Sequence, residues 1–223
     1  MKVSIMQPYF LPYVGYFQLI NNVDEFILLD DVNYINKGWI DRNKIKINNS
    51  DFYFKLQLEK KSQNQLIKDL NLIDDNKWKN KFLRTIKNNY SKSQNFDEVF
   101  TILKKIIFFN ERNLVDYLEN SLIEILNFLK IPKKLKRSSE ILENNLLKGE
   151  DKIIGLCQKI GATEYINLPG GKNYYNKENF FKKNINLKFI TPKFDEISNY
   201  SIIDLLFNNM EKINHDVKQF TIE

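Results

Sequence analysis

An open, mostly parallel α/β sheet of Rossmann-like type, with an inserted helical subregion over about residues 76–130, is the fold class this sequence predicts. Three observations point to it. Two short apolar runs without helical periodicity, Val3-Ser4-Ile5-Met6 and Phe26-Ile27-Leu28-Leu29, flank a helix-length connection. A long middle stretch repeats aromatic and aliphatic residues at steps of three and four. Further short apolar runs then return, separated by turn and helix signals.

The elements follow in order. The first strand ends at Gln7-Pro8 and the second at Asp30-Asp31. Between them Pro12 suits the first turn of a helix, and Tyr13, Tyr16, Phe17 and Ile20 recur as a face packed on a sheet. This is a βαβ unit, which implies parallel strands with a right-handed crossover. Asn33 to Asn49 reads as a polar, basic loop, and Phe52 to Leu58 as a third strand. Trp78, Phe82, Ile86 and Tyr90, then Phe100, Leu103 and Ile107, then Leu114 to Leu129, form helical stripes that end before Pro132 and read as core. Leu135 to Ser139 is a fourth strand, Asp151 to Ile160 a helix closed by Gly161, Glu164 to Asn167 and Leu187 to Thr191 two more strands, and Ser201 to Asn208 a last helix. Such sheets bind ligands at the carboxyl ends of their strands, where strand order reverses. That rule gathers Gln7-Pro8, Asp30-Asp31, Ser138-Ser139 and Asn167 to Gly171 at one rim.

Composition narrows the function classes. With 223 residues, 43% hydrophobic and 28% charged, the chain is long enough for one substantial core, and no linker divides it, so a single α/β domain over 1–223 is expected. The formal charge of +6 suits a protein that handles anions, but the lysines are scattered among Asn, Asp and Glu, which favours a solvated basic surface or a compact anion over nucleic acid. Met1 to Gln7 reads as a strand and not as a secretion signal, and the longest apolar runs fall far short of the ~20 residues needed to span a bilayer. A cytoplasmic protein with no membrane span is expected. Cys157 is the one cysteine and sits on an apolar helical face, which points to core packing; His215 is the one histidine, in a polar surface setting. No histidine triad or zinc cluster can be assembled, so acid–base work would fall to carboxylate, Lys or Tyr, and no metal is expected.

Three constellations could carry chemistry. Gln7 to Tyr16 is a turn stiffened by Pro8 and Pro12, where Gly15 either lets a planar ligand group approach the backbone or lets the helix pack on the sheet. The Tyr13-Val14-Gly15-Tyr16 step resembles the histidine-x-glycine-histidine turn of nucleotidylyltransferases, without either histidine. Asp30 to Lys44 combines the paired carboxylates Asp30 and Asp31 with Tyr34, Lys37, Trp39, Arg42 and Asn43. Here Arg42 offers a fork for phosphate, Trp39 a stacking face, and the carboxylates a base. In the plainer alternative Asp30 caps a turn and pairs with Arg42. Asn167 to Tyr175 places Gly170-Gly171 and Lys172 after a short strand, as an anion-binding turn or an ordinary tight one.

Taken together, Gln7-Pro8-x-x-x-Pro12-x-x-Gly15-Tyr16-Phe17, Asp30-Asp31-Val32-x-Tyr34, Lys37-x-Trp39-x-x-Arg42-Asn43, Trp78, Ser138-Ser139-Glu140, Tyr165-x-x-x-Pro169 and Ser201 to Asn208 resemble the WbqC-like family almost end to end. The resemblance implies a nucleotidylyltransferase-like sheet. It also implies an accessory enzyme of O-antigen or capsule synthesis that transfers an acyl or aminoacyl group, such as glycyl, to an amino sugar. The expected substrate is a sugar nucleotide, with an activated acyl donor supplied by an acyl carrier, coenzyme A or ATP, and other polysaccharide enzymes as partners. Asp30, Asp31 and Lys172 are the expected catalytic residues. Gln7, Pro8, Gly15, Tyr16, Tyr34, Lys37, Trp39, Arg42, Asn43, Ser138, Ser139, Asn167, Gly170, Gly171 and Tyr175 are the expected binding residues. Asp41, the Asn167 to Gly171 turn and a shortened segment before Ser201 depart from the family pattern and bear on acceptor specificity. The alternatives are an enzyme that activates a carboxylate with ATP and a non-catalytic sugar-nucleotide-binding accessory protein.

Overall fold

The computed structural model describes residues 1–60, 62, 64–142, 146–192, 199–210, 213, 217 and 220–223, so the position expected for His215 lies outside the described residues. Its centre is a six-stranded sheet. Strand β1 (Lys2–Met6) leads through helix α1 (Val14–Asn21) to the parallel strand β2 (Glu25–Leu28), in register from Val3 opposite Glu25 to Met6 opposite Leu28. Strand β5 (Leu135–Arg137) extends that side. On the other side of β1 come β6 (Glu164–Asn167), β7 (Asn186–Pro192) and β8 (Phe220–Ile222). The order is β5-β2-β1-β6-β7-β8, parallel except for the β7–β8 pair. The expected open α/β sheet is therefore present, and strand order reverses between β1 and β6.

Side-chain alternation along these strands builds a core on each face of the sheet. Phe26, Leu28, Ile166 and Ile190 join one cluster with α1, with the helices α2 (Asn76–Tyr90), α3 (Phe96–Ile107) and α4 (Leu114–Phe128), and with α8 (Ile202–Asn208). Val3, Ile5, Ile27, Tyr165, Leu187 and Phe189 join the other, with α6 (Gly149–Lys159) and α7 (Lys177–Phe181). The three-helix block matches the stripes read from sequence, and Asp75 and Asn113 start α2 and α4 by accepting two backbone N–H bonds each. Gly161 closes the α6 turn at φ +72°, a left-handed conformation that costs glycine nothing. Cys157 is fully buried, and burial pushes its thiol up to about 12, as a packing residue requires.

Three expectations are corrected. The third strand, expected at Phe52 to Leu58, is β4 (Ser50–Lys55); it does not enter the sheet but pairs antiparallel with β3 (Arg42–Ile47), inside what read as a loop. The two-residue connection Asn48-Asn49 has φ +48° and +60°, the signature of a type I′ hairpin turn, so local turn chemistry closes the pair without help from the sheet. The fourth strand stops at Arg137, because Ser138 and Ser139 open the short helix α5 (Ser138–Ile141). Pro12 lies just ahead of α1, whose N-cap is Tyr13.

The hairpin is fastened to the helices by Asp204 of α8, which is buried and accepts from the Lys46 N–H (2.7 Å), the Tyr90 hydroxyl (3.1 Å) and the Asn208 amide (2.8 Å). Burial holds its carboxyl above the ordinary value, against the opposing pull of these donors. A raised folded pKa favours the protonated form, so this group's stabilising contribution is present at low pH and is lost as pH rises through that pKa. Asp204→Asn leaves the Lys46 N–H facing an amide and should cost about 2 kcal/mol in urea denaturation. The loss is expected to be larger at pH 4 than at pH 7; an equal loss at both would show that Asp204 titrates normally.

Candidate functional site

The β1–β6 ladder pairs Lys2 with Glu164 and Val3 with Tyr165 and goes no further. Beyond it the Ser4 hydroxyl donates to the Ile166 carbonyl (2.6 Å) and the Tyr165 hydroxyl to the Ile5 carbonyl (3.3 Å), so side chains take over from backbone as the strands run toward their carboxyl ends. There a cleft of about 660 Å³ opens, lined by Tyr9, Pro12 and Tyr13 after β1, Pro169 after β6, Thr191 of β7, Asn43 and Lys44 of the hairpin, and Trp39 and Asn199. This is the switch point at which open α/β sheets bind ligands.

The turn after β1 shapes it. Leu11 sits at φ +46°, a strained conformation for a leucine. It is held because the Asn43 amide donates to the Phe10 and Leu11 carbonyls (3.2 and 2.7 Å), the Ser201 hydroxyl donates to the Leu11 carbonyl (2.7 Å), and the Ile202 N–H donates to the Pro12 carbonyl (2.9 Å). Asn43, expected to bind ligand, is thus a buried clamp at the back of the cleft. Gly15 answers the question the sequence left open: a Cβ there would lie 2.4 Å from the Tyr13 ring. The planar group that approaches this backbone is the protein's own tyrosine.

Tyr9 and Tyr13 present half-buried phenols to the cleft. Burial first, and neighbouring phenols second, raise both above the ordinary value, Tyr13 to about 12, so both stay protonated and able to donate near neutral pH. Tyr16 is fully buried, packs on Phe26 and donates to the Gln7 carbonyl (2.9 Å), which makes it core rather than a ligand contact. Lys44 supplies the charge. It pairs with Asp51 at 2.8 Å and lies 4.8 Å from the Tyr200 ring centroid, and the Asp51 carboxylate raises its pKa and keeps it an ammonium. Trp39 is 42% exposed and carries the Arg42 guanidinium over its ring at 5.2 Å. Arg42 itself donates to the Gly38 carbonyl (2.9 Å) and to that of Lys37, so it braces the Trp39 loop; Lys37 is exposed, at φ +63°.

The remaining expected residues fall elsewhere. Tyr34 is buried and donates to Asp41 (2.8 Å). Asn167 is buried, donates to the Tyr165 hydroxyl (3.0 Å) and approaches Gly171 so closely that a Cβ there would lie 2.7 Å from its amide. Gly170 and Gly171 belong to a 3₁₀ turn, Pro169–Asn173, in which the Gly171 N–H already donates to Leu168, so this is an ordinary turn and not an open cradle of amides. Tyr175 packs against Tyr165 and Phe180. Lys172 pairs with Glu223 at 2.6 Å.

Asp30 and Asp31 meet Ser138 and Ser139 at the ends of β2 and β5. Asp30 is 1% exposed and accepts from the Ser138 hydroxyl (2.9 Å), the Ser139 N–H (3.0 Å) and the Ser139 hydroxyl (2.6 Å). The plainer reading, a solvated turn capped by Asp30 and paired with Arg42, is corrected: the carboxylate is buried and its partners are the distant serines that open α5. Asp31 shares the one Ser138 hydroxyl proton with Asp30, at the shorter distance of 2.5 Å, and pairs at 2.7 Å with Lys152, a buried lysine that sequence reasoning passed over because it looked like one more scattered surface charge. Sequence reasoning also left Lys44 out of the site, although the alternation Arg42-Asn43-Lys44-Ile45-Lys46-Ile47 is a strand signal that puts Lys44 and Arg42 on one face. Among the described residues, no group of three His, Cys, Asp or Glu could hold a metal ion, and no helix is long and apolar enough to cross a membrane.

Fold and cleft define an α/β protein with an open cleft at the switch point of a mostly parallel sheet. The chain belongs to the WbqC-like protein family, whose model matches residues 7–215. It is similar to the uncharacterized protein Rv1507c of Mycobacterium tuberculosis (strain ATCC 25618 / H37Rv), 30% identical over 221 residues that cover 93% of each chain. No solved structure gives a significant match.

The Asp30 cluster makes a stability prediction. Asp30→Ala strips the acceptor from one N–H and two hydroxyls in a buried setting and should lower unfolding free energy by about 3 kcal/mol. A chemical denaturation midpoint equal to that of the parent chain would show that the carboxylate does not hold β2 to α5.

Proposed function

We propose that this protein is a transferase of surface-polysaccharide synthesis that modifies an amino sugar carried on a sugar nucleotide, and that the nucleotide docks in the switch-point cleft. The observation that carries this reading is the cleft's lining: Tyr9, Tyr13 and Trp39 give flat faces for a base or a sugar ring, and Lys44 gives one cation for a diphosphate. Its volume of about 660 Å³ suits a nucleotide-sized ligand. The WbqC-like membership supports the polysaccharide context. In acyl transfer a nitrogen–carbon bond forms as the bond from the acyl carbon to the leaving group breaks. The leaving group departs with the electron pair, and the amine proton passes to a base. Of the two carboxylates at the end of β2, Asp31 is assigned as that base: Asp30 is 1% exposed beneath serine donors, whereas Asp31, although paired with Lys152, lines the cleft at the ends of β2 and β5, to which the amino sugar would extend from the switch point. Protonated Tyr9 and Tyr13 and the Lys44 ammonium are the groups able to stabilise negative charge in the cleft.

A thermal-shift and calorimetric screen of nucleotides and sugar nucleotides at fixed salt tests this. A uridine or thymidine diphosphate sugar should stabilise the chain, and Lys44→Ala should weaken its binding about tenfold, the worth of one charge-assisted contact. Stabilisation by ATP alone would replace the reading with carboxylate activation; no shift with any nucleotide would contradict it.

A further inference from the structure

We propose that a second cleft, at the carboxyl ends of β2 and β5, binds an anion with an apolar arm. Resting on the transferase reading above, this ligand is the phosphate-bearing acyl donor. The cleft measures about 640 Å³ and runs between the segment after β2, the stretch around Lys68 and the start of α6. Among the described residues it shares no lining residue with the switch-point cleft.

Its electrostatics are lopsided. Among its described lining residues three lysines, Lys68, Lys148 and Lys152, stand against one carboxylate, Asp31. Lys152 is 3% exposed, and its ammonium is spent on Asp31, pairing with the carboxylate at 2.7 Å and donating to the Asp31 carbonyl at 3.1 Å. A buried pair of this kind is neutral as a unit. Lys68 and Lys148 make no ion pair among the described residues, so the described lining carries a positive balance whose natural complement is a phosphate or diphosphate.

The opposite chemistry lies alongside. Val32, Leu66, Leu142 and Leu147 contribute an apolar wall, and Leu147 remains 44% exposed. A solvated lysine surface does not need such a wall, and a nucleic acid would not use it. An anion bearing a hydrocarbon-rich arm uses both halves. Asp31 and Ser139 both line this cleft and belong to the serine cluster beneath it, so a donor bound here brings its acyl group to the carboxylate assigned as base.

Calorimetric titration of the full chain with coenzyme A and with ATP, at low fixed salt, tests the proposal and separates its two sources: a thioester donor predicts tighter binding of coenzyme A, an acyl adenylate tighter binding of ATP. Lys68→Ala/Lys148→Ala should weaken the tighter ligand at least about tenfold while leaving the affinity for a uridine diphosphate sugar unchanged. Leu147→Asp should weaken coenzyme A further than it weakens inorganic pyrophosphate, a probe without an arm. Binding of neither nucleotide, or an affinity indifferent to the double substitution, overturns the proposal. Loss of uridine diphosphate sugar binding in the parent chain, with the coenzyme A or ATP result as expected, would sink the switch-point reading and leave this cleft standing.

Discussion

The geometry around the site depends on one constraint, the strained turn at Leu11. Leucine does not choose φ +46°, and the conformation persists because three donors from two other elements converge on the carbonyls of residues 10–12. Those donors, Asn43, Ser201 and Ile202, come from the hairpin and the start of α8, far apart in sequence. The same contacts that hold the turn therefore bring Lys44 and the 199–201 segment to the cleft and aim Tyr9 and Tyr13 into it. Gly15 completes the arrangement by leaving room for the Tyr13 ring.

Charge is handled differently at the two ends of the parallel sheet edge. At the β1–β6 end the groups are phenols kept neutral by burial, with one ammonium anchored by Asp51. At the β2–β5 end two carboxylates sit side by side, Asp30 buried among serine donors and Asp31 lining a cleft and paired with Lys152. Burying an unpaired carboxylate would cost several kcal/mol, so this density of donors is what permits the pair to sit there. Specificity for a polar, hydroxyl-rich ligand fits the first environment, since a neutral phenol can donate to a sugar without demanding a counter-charge.

Much of the sheet was legible because buried parallel strands are short apolar runs with abrupt polar ends. Val3 to Met6, Phe26 to Leu29 and Glu164 to Asn167 show it, and the rim rule placed Gln7, Asp30, Ser138 and Asn167 at one edge. The hairpin was less legible. Its strands carry lysines on one side and pair only with each other, so composition suggested a loop, while the telling Asn48-Asn49 turn is a two-residue signal. Site residues divided by a simple physical rule. Residue types with obvious chemistry, Arg42, Tyr34 and Asn167, proved to be committed to internal hydrogen bonds. Tyr13 and Lys152 gain their roles from tertiary neighbours that no local pattern reveals, and Lys44 shows only through the strand alternation of residues 42–47.

Hydrogen–deuterium exchange of the full chain with and without a uridine diphosphate amino sugar tests the central claim most directly. If the nucleotide docks at the switch point, amides of residues 9–13 and 39–44 gain protection on binding while those of 31–33 and 66–68 do not. Protection confined to the second set, or none anywhere at saturating ligand, would contradict it.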